Sequence, residues 1–303
     1  MSNKLFEGRV AVITGAGSGI GRAEAKLFAK YGAKVVVNDI GTSIAGEGTS
    51  KSPADTVVKA IKDEGGEAIA NYDSVAAEQG ANKIIQAAID KWGRIDILVN
   101  NAAVFGEMYD VYDVKTEDFD KIMKVCVYGT FFCTRAAAGY MKKQGYGRIV
   151  NTSSHTGFGW RGNTPYSGAK EAIAGMTRTM ARDMAEWGGT VNAIRPLAAW
   201  RGTKVKMPSN SEKFTPLAVN QPEDIAPLVV YLCSEAAGEI NGRIFEVWHG
   251  HVGIFDEPPP VRDIILKQGS WTVEELGKLV PQKLAKNARR TVFPEYKMHD
   301  FEP

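Results

Sequence analysis

The sequence predicts a doubly wound α/β domain built on a seven-stranded parallel sheet. Three observations predict it. Strand and helix patterns alternate from the N-terminus to about Gly250, a glycine-rich run joins the first strand to the first helix, and an acid closes the second strand.

The elements follow in order. The apolar run RVAVIT (9 to 14) reads as a buried strand, and apolar spacing from about Ile20 to Lys30 reads as a helix. Further strands are KVVVN (34 to 38), EAIAN (67 to 71), IDILVNN (95 to 101), RIVNTS (148 to 153), TVNAIR (190 to 195) and RIFEVW (243 to 248). Helices fall between them near 53 to 63, 79 to 91, 117 to 143, 165 to 187 and 222 to 234. Ser52-Pro53 and Gln221-Pro222 mark two helix starts, because a first-turn proline sacrifices an N–H that would be unpaired anyway. The domain is therefore placed at residues 1 to 252, with cofactor and substrate sites together. Pro258-Pro259-Pro260 breaks regular structure, so residues 253 to 303 are an extension too small for its own core, packing on the domain or on a neighbouring subunit.

Composition excludes more than it assigns. A net charge of +2 from 37 basic and 35 acidic residues offers no field for nucleic acid or a membrane surface, and no run of 18 apolar residues occurs. Cys126, Cys133 and Cys233 have neither metal-ligand spacing nor an even count, which suits a reducing compartment. MSNKLFEGRV lacks an apolar leader, so cytoplasm is the expected address. His249 and His251 find no third ligand in the sequence, and no metal is expected.

The run Thr14-Gly15-Ala16-Gly17-Ser18-Gly19-Ile20-Gly21 stands where backbone N–H groups and a helix N-terminus can cradle a pyrophosphate; its alternative is a structural turn. Asp39 lies 18 residues beyond Gly21, placed to accept hydrogen bonds from ribose hydroxyls and to repel a 2′-phosphate. With Ser18, not a basic residue, before Gly19, the cofactor predicted is NAD rather than NADP. Tyr166 and Lys170 sit four apart on one helix, so they share a face, and an ammonium beside a phenol favours the phenolate needed of a general base. Lys170 can also bond the nicotinamide ribose. Ser153 and Ser154 end the fifth strand at the carboxyl edge of the sheet, where a hydroxyl can hold a substrate oxygen.

With TGAGSGIG, Asn100-Asn101-Ala102-Ala103 and Tyr166-Ser167-Gly168-Ala169-Lys170 in order, the chain resembles the short-chain dehydrogenase/reductase family over residues 8 to 250, which implies a Rossmann fold. The stretches VVVNDIG, ANYDSV, YGRIVNTSS, IAPLVVYLC and NGRIFEV are similar to the (3R)-hydroxyacyl-CoA dehydrogenase part of peroxisomal multifunctional enzyme type 2 and its stand-alone bacterial relatives. The resemblance implies Tyr166 as acid/base, Lys170 as its partner and a fifth-strand serine orienting the carbonyl. It also implies adenine contacts from Asp73 and Ser74, a ribose contact near Asn100 beside Ala102, carboxamide contacts from Pro196 to Thr203, and a homodimer or homotetramer.

Four departures stand against that pattern. The family's serine precedes its tyrosine by 13 residues, which selects Ser153, whereas the NTSS strand end selects Ser154; strand register favours Ser154. Cys126 replaces an asparagine that orders a relay water, Ala103 replaces a glycine, and Pro196-Leu197 opens a longer loop containing Trp200. His155, Phe158, Trp160 and Arg161 precede Tyr166, where His155 and Trp160, with Trp200, line a substrate pocket or pack on the fold. The function expected is interconversion of a secondary alcohol and a ketone, with a (3R)-hydroxyacyl-CoA leading. The alternatives are a hydroxysteroid, terpenoid or other cyclic alcohol, and a weakly active cofactor-binding subunit.

Overall fold

The computed structural model describes residues 4–43, 45–198, 220–256 and 258–285. The chain divides into two compact units, Met1–Ile254 and Phe255–Pro303.

The first unit alternates β1 (Val10–Thr14), α1 (Gly19–Lys30), β2 (Lys34–Asn38), α2 (Ser52–Asp63), β3 (Glu67–Asn71), α3 (Glu78–Trp92) and β4 (Ile97–Asn100). Then come α4 (Thr116–Ile122), a widened helical turn at Met123–Tyr128, α5 (Gly129–Gln144), β5 (Arg148–Thr152), a tight turn at His155–Phe158 and α6 (Thr164–Ala185). β6 (Thr190–Pro196), α7 (Pro222–Leu232), β7 (Ile244–Trp248) and β8 (His251–Ile254) complete it.

The sheet order is β3-β2-β1-β4-β5-β6-β7-β8. Its first seven strands are parallel, and the chain reverses direction of winding between β1 and β4. A crevice must open there, beyond the carboxyl ends of the strands. β8 corrects the seven-strand expectation: it pairs antiparallel with β7, Trp248 opposite His251 across a two-residue turn at Gly250, whose φ is 67°. Four residues interrupted by Gly253 gave no strand pattern to read.

Both sheet faces are covered, which explains why these strands read as unbroken apolar runs. Ala11, Ile13, Val35 and Val37 face one core with Phe28 of α1 and Leu228 and Val229 of α7. Val10, Val12, Val36 and Leu98 face the other with Ile84 and Ile85 of α3 and Met141 of α5. Each Val, Leu, Ile, Phe or Met among them contributes about 1.5–3 kcal/mol on burial. At the opposite end of the sheet from the crevice, the buried Asp96 carboxylate accepts from the Val10 N–H and from Arg9 and Arg94, fixing β1 against β4.

The second unit contains α8 (Val273–Leu279), begun by a capping box in which Thr272 accepts from the Glu275 N–H and Glu275 accepts from the Thr272 N–H. Helix α8 buries no side chain. Among the described residues no helix is long and apolar enough to cross a membrane.

Candidate active site

At the reversal between β1 and β4, Thr14 Oγ1 accepts from the backbone N–H groups of Asn101 and Ala102, both at 3.1 Å. Asn101 Nδ2 returns hydrogen bonds to the carbonyls of Thr14 and Gly15 at 3.0 and 3.1 Å. These ties hold the glycine-rich turn against the end of β4 so closely that side chains are excluded. A Cβ on Gly21 would stand 2.5 Å from Asn101 Nδ2 and from the Gly15 carbonyl oxygen. Gly19 differs: its φ of 55° demands glycine, and the space where a Cβ would stand is open. It begins α1, whose cap residue Ser18 makes no side-chain hydrogen bond to the first turn. The turn thus presents a bare helix N-terminus to the crevice, suited to a pyrophosphate.

The crevice encloses about 410 Å³ and is lined by Gly15, Ser18, Gly19, Ile20, Asp39, Asp73, Ser74, Ala102 and Tyr166 among the residues expected at the site. Asp39 is half-buried, with Oδ2 accepting from the Gly17 N–H at 2.8 Å and Oδ1 from the Gly41 N–H at 2.7 Å. The carboxylate therefore rests on the turn itself, where ribose hydroxyls would meet it. Asn38 Nδ2 donates to Asn71 Oδ1 and to the Asp73 carbonyl, and Asn71 Nδ2 donates to Asp73 Oδ2, which sets the Asp73–Ser74 edge. An acid resting on the turn, bare N–H groups at the helix start and a mixed lining of Val75, Val104 and Phe105 with Asp73, Ser74 and Lys121 fit a dinucleotide.

Tyr166 lies in the first turn of α6, its ring edge-on to Phe105 with centroids 5.0 Å apart. Lys170, one turn on, is 1 % exposed; its Nζ donates to the Thr152 carbonyl at 2.7 Å and lies 5.2 Å from the Tyr166 ring centroid. Burial pushes the Tyr166 phenol well above its ordinary value, and burial likewise pulls the Lys170 ammonium down. Desolvation is the largest influence on both groups, and the Lys170 ammonium faces a carbonyl and the ring. Cys126 is buried in the widened turn with Val104, Ile122, Ala169 and Ile173, and Tyr166 packs on that cluster. Its Sγ lies 3.9 Å from the Val104 carbonyl oxygen.

The two serines separate cleanly. Ser153 is 1 % exposed, and its Oγ donates to the Lys170 carbonyl at 2.8 Å, so its proton is committed to the fold. Ser154 is half-buried, and its Oγ accepts from the Thr156 N–H at 3.2 Å and from Thr156 Oγ1 at 2.9 Å. Neither of these bonds uses its own proton.

Other expected residues stand elsewhere. Asn100 points into the core, not the crevice: Nδ2 donates to Thr134 Oγ1 at 3.0 Å and Asn151 Oδ1 at 2.9 Å, because side chains alternate along β4 and the neighbouring Asn101 takes the crevice side. Gly21 and Pro196 lie outside the lining, one as a packing position beneath the turn and the other at the end of β6. His155 is half-buried, its Nε2 3.2 Å from Glu246 Oε2 and its ring 5.8 Å from that of Trp248, so it packs toward β7. Trp160 precedes a turn whose Gly162 carbonyl accepts from the Tyr109 N–H at 2.8 Å, a tie between the loop after β4 and the loop that leads into α6. Trp200 and Thr203 lie outside the described residues.

Phe105, Lys121 and Val125 also line the crevice and were not singled out in the sequence. No motif marks them. Thr14 and Asn101 were quoted within motifs, and their roles as ties between strands follow only from the parallel pairing.

The family model described as short chain dehydrogenase matches residues 9–213. A peroxisomal hydratase-dehydrogenase-epimerase of Neurospora crassa is 45% identical over 248 residues, 82% of this chain and 27% of that protein. The chain thus spans about a quarter of the length of that curated relative. A 3-oxoacyl-[acyl-carrier-protein] reductase of Synechocystis is 39% identical over 250 residues, covering 80% of this chain and 97% of the relative. The crystal structure of a short chain dehydrogenase from Mycobacterium avium superimposes with a TM-score of 0.80 at 38% identity, covering 93% of this chain and 96% of that one.

Proposed function

The chain belongs to the short-chain dehydrogenase family, and on that premise we propose that it is an NAD-dependent oxidoreductase that interconverts a secondary alcohol and a ketone, acting on a (3R)-hydroxyacyl-CoA. The observation that carries the reading is that Tyr166 lines the same crevice as the glycine-rich turn and Asp39.

When bound, the oxidised nicotinamide supplies the hydride acceptor and a positive charge. The chain's own residues do the rest. Tyr166 Oη takes the hydroxyl proton of the alcohol as the carbinol hydrogen departs with its electron pair, and Ser154 Oγ donates to the same substrate oxygen, orienting it. Lys170 Nζ, held at the Thr152 carbonyl, places a buried cation beside the phenol ring and is one turn from the proton it helps to move. Burial raises the phenol's pKa, so its deprotonation leans on positive charge nearby, from Lys170 and, when bound, from the oxidised nicotinamide.

Asp39 supports NAD, since its carboxylate occupies the turn at the ribose position and a 2′-phosphate would meet like charge there. The resemblance to hydroxyacyl-CoA dehydrogenases and the acyl substrate in the name of the Synechocystis relative support a 3-hydroxyacyl thioester. Three buried free thiols suit a reducing compartment, and a cytoplasmic homodimer or homotetramer completes the reading. Steady-state assays with NAD against (3R)-hydroxyacyl-CoAs and against cyclic secondary alcohols test it. The reading expects kcat/KM higher by at least ~100-fold for the thioesters; the reverse preference would overturn it.

A further inference from the structure

Arg195 belongs to β6, outside the crevice lining, yet its side chain is 2 % exposed. A buried guanidinium is costly unless its hydrogen bonds are specific, and an apolar residue would fill a strand position more cheaply. Its bonds are specific. Nη1 donates to the Ser154 carbonyl at 2.9 Å, Nη2 donates to Glu171 Oε2 at 2.8 Å, and the guanidinium carbon stands 4.0 Å from the centroid of the Phe158 ring. One side chain therefore joins three segments: β6, the turn that follows β5, and α6 immediately after Lys170.

Gly157 gives independent testimony to how tightly the turn closes over this pair. A Cβ there would stand 2.7 Å from Glu171 Oε2 and 2.9 Å from Arg195 Nη1. The other flank of the turn is held by His155, whose Nε2 meets Glu246 Oε2 at 3.2 Å, while Glu246 Oε1 meets His251 Nε2 at 2.8 Å. The turn carrying Ser154 is thus clamped between β6 and α6 on one side and β7 on the other.

We propose that Arg195 is a positioning residue for hydride transfer: its guanidinium fixes the Ser154 backbone relative to the helix that carries Tyr166 and Lys170, with Glu171 as the anchor. This rests on the reading of Ser154, Tyr166 and Lys170 as the reacting set. Ser154 and Tyr166 approach the same substrate oxygen from different segments, so their separation depends on what holds those segments together. A misplacement of about 1 Å can cost on the order of 100-fold in rate.

The test uses the full chain, NAD and whichever alcohol or thioester the assays above find best. Arg195→Ala, Arg195→Lys and Gly157→Ala are compared with Tyr166→Phe by kcat, KM and NADH affinity. Arg195→Ala should lower kcat ~10- to 100-fold with NADH affinity within about twofold, added guanidinium ion should restore part of the rate in that variant alone, and Arg195→Lys should fall between. Gly157→Ala should reproduce the kcat loss by wedging the ion pair apart. Retention of kcat within about twofold in both Arg195→Ala and Gly157→Ala overturns the proposal. So does a loss of kcat and NADH binding in parallel, without guanidinium rescue, which is the signature of a merely structural residue. If Arg195→Ala does not fold, Arg195→Lys and Gly157→Ala decide by the same criteria. Full turnover in Tyr166→Phe would instead overturn the underlying site reading, whereas loss there with none in the Arg195 and Gly157 variants would overturn this proposal alone.

Discussion

Glu24 sits in α1 with no exposed surface, and neither carboxyl oxygen has a hydrogen-bond partner among the described residues. Burial alone raises its pKa from 4.5 to about 8. In the unfolded chain the carboxyl is ionised above about 4.5, so between there and about 8 folding must take up a proton. Stability is then full below the lower value, falls as pH rises through this window, and levels off above about 8. The difference between 4.5 and about 8, at about 1.36 kcal/mol for each step of one, comes to about 5 kcal/mol. That is large beside a typical net stability of about 5–15 kcal/mol. Glu24→Gln keeps the shape and removes the titration. Urea unfolding of both proteins at several values between pH 5 and 9 should show the variant gaining about 1.4 kcal/mol on the wild type for each step of one in pH, flattening above about 8. Parallel stability curves across that window would refute the reasoning. The consequence reaches the site, because α1 begins at Gly19 and its N-terminal turn is the proposed pyrophosphate cradle.

Three further outcomes are expected. Asp39→Ala should lower the preference for NAD over NADP at least ~10-fold in a fluorescence titration, read as a ratio because loss of the bonds to the Gly17 and Gly41 N–H groups loosens the turn for both ligands. Ser154→Ala should reduce kcat on the order of 100-fold with little change in stability. Ser153→Ala, which removes a buried bond to the Lys170 carbonyl of α6, should cost about 0.5–1.5 kcal/mol in urea with kcat changed only a few-fold. The opposite pattern would transfer the catalytic role to Ser153.

What the sequence revealed was what local physics writes into it. Continuous apolar runs marked strands buried on both faces, proline marked the starts of α2 and α7, and the glycines at 15, 19 and 21 marked a turn whose close approaches the structure displays. The Tyr166 and Lys170 pair was readable because helical spacing alone puts them on one face. The helix expected across 117 to 143 is interrupted by the widened turn at Met123–Tyr128, since apolar periodicity does not record which carbonyl an N–H chooses. β8 was too short and too glycine-broken to show. Phe105, Lys121, Val125 and Arg195 reach their places through strand order and loop packing, so nothing near them in sequence could have named them. Asn100 and Asn101 stand side by side, and only the strand register decides which side chain faces the crevice.

The most direct measurement of the central claim is single-turnover absorbance at the nicotinamide band for wild type and Tyr166→Phe, with NADH affinity titrated alongside. The account predicts NADH binding within about twofold and hydride transfer slowed ~10²- to 10⁴-fold by loss of the phenolic proton acceptor. Hydride transfer at the wild-type rate in Tyr166→Phe would contradict it.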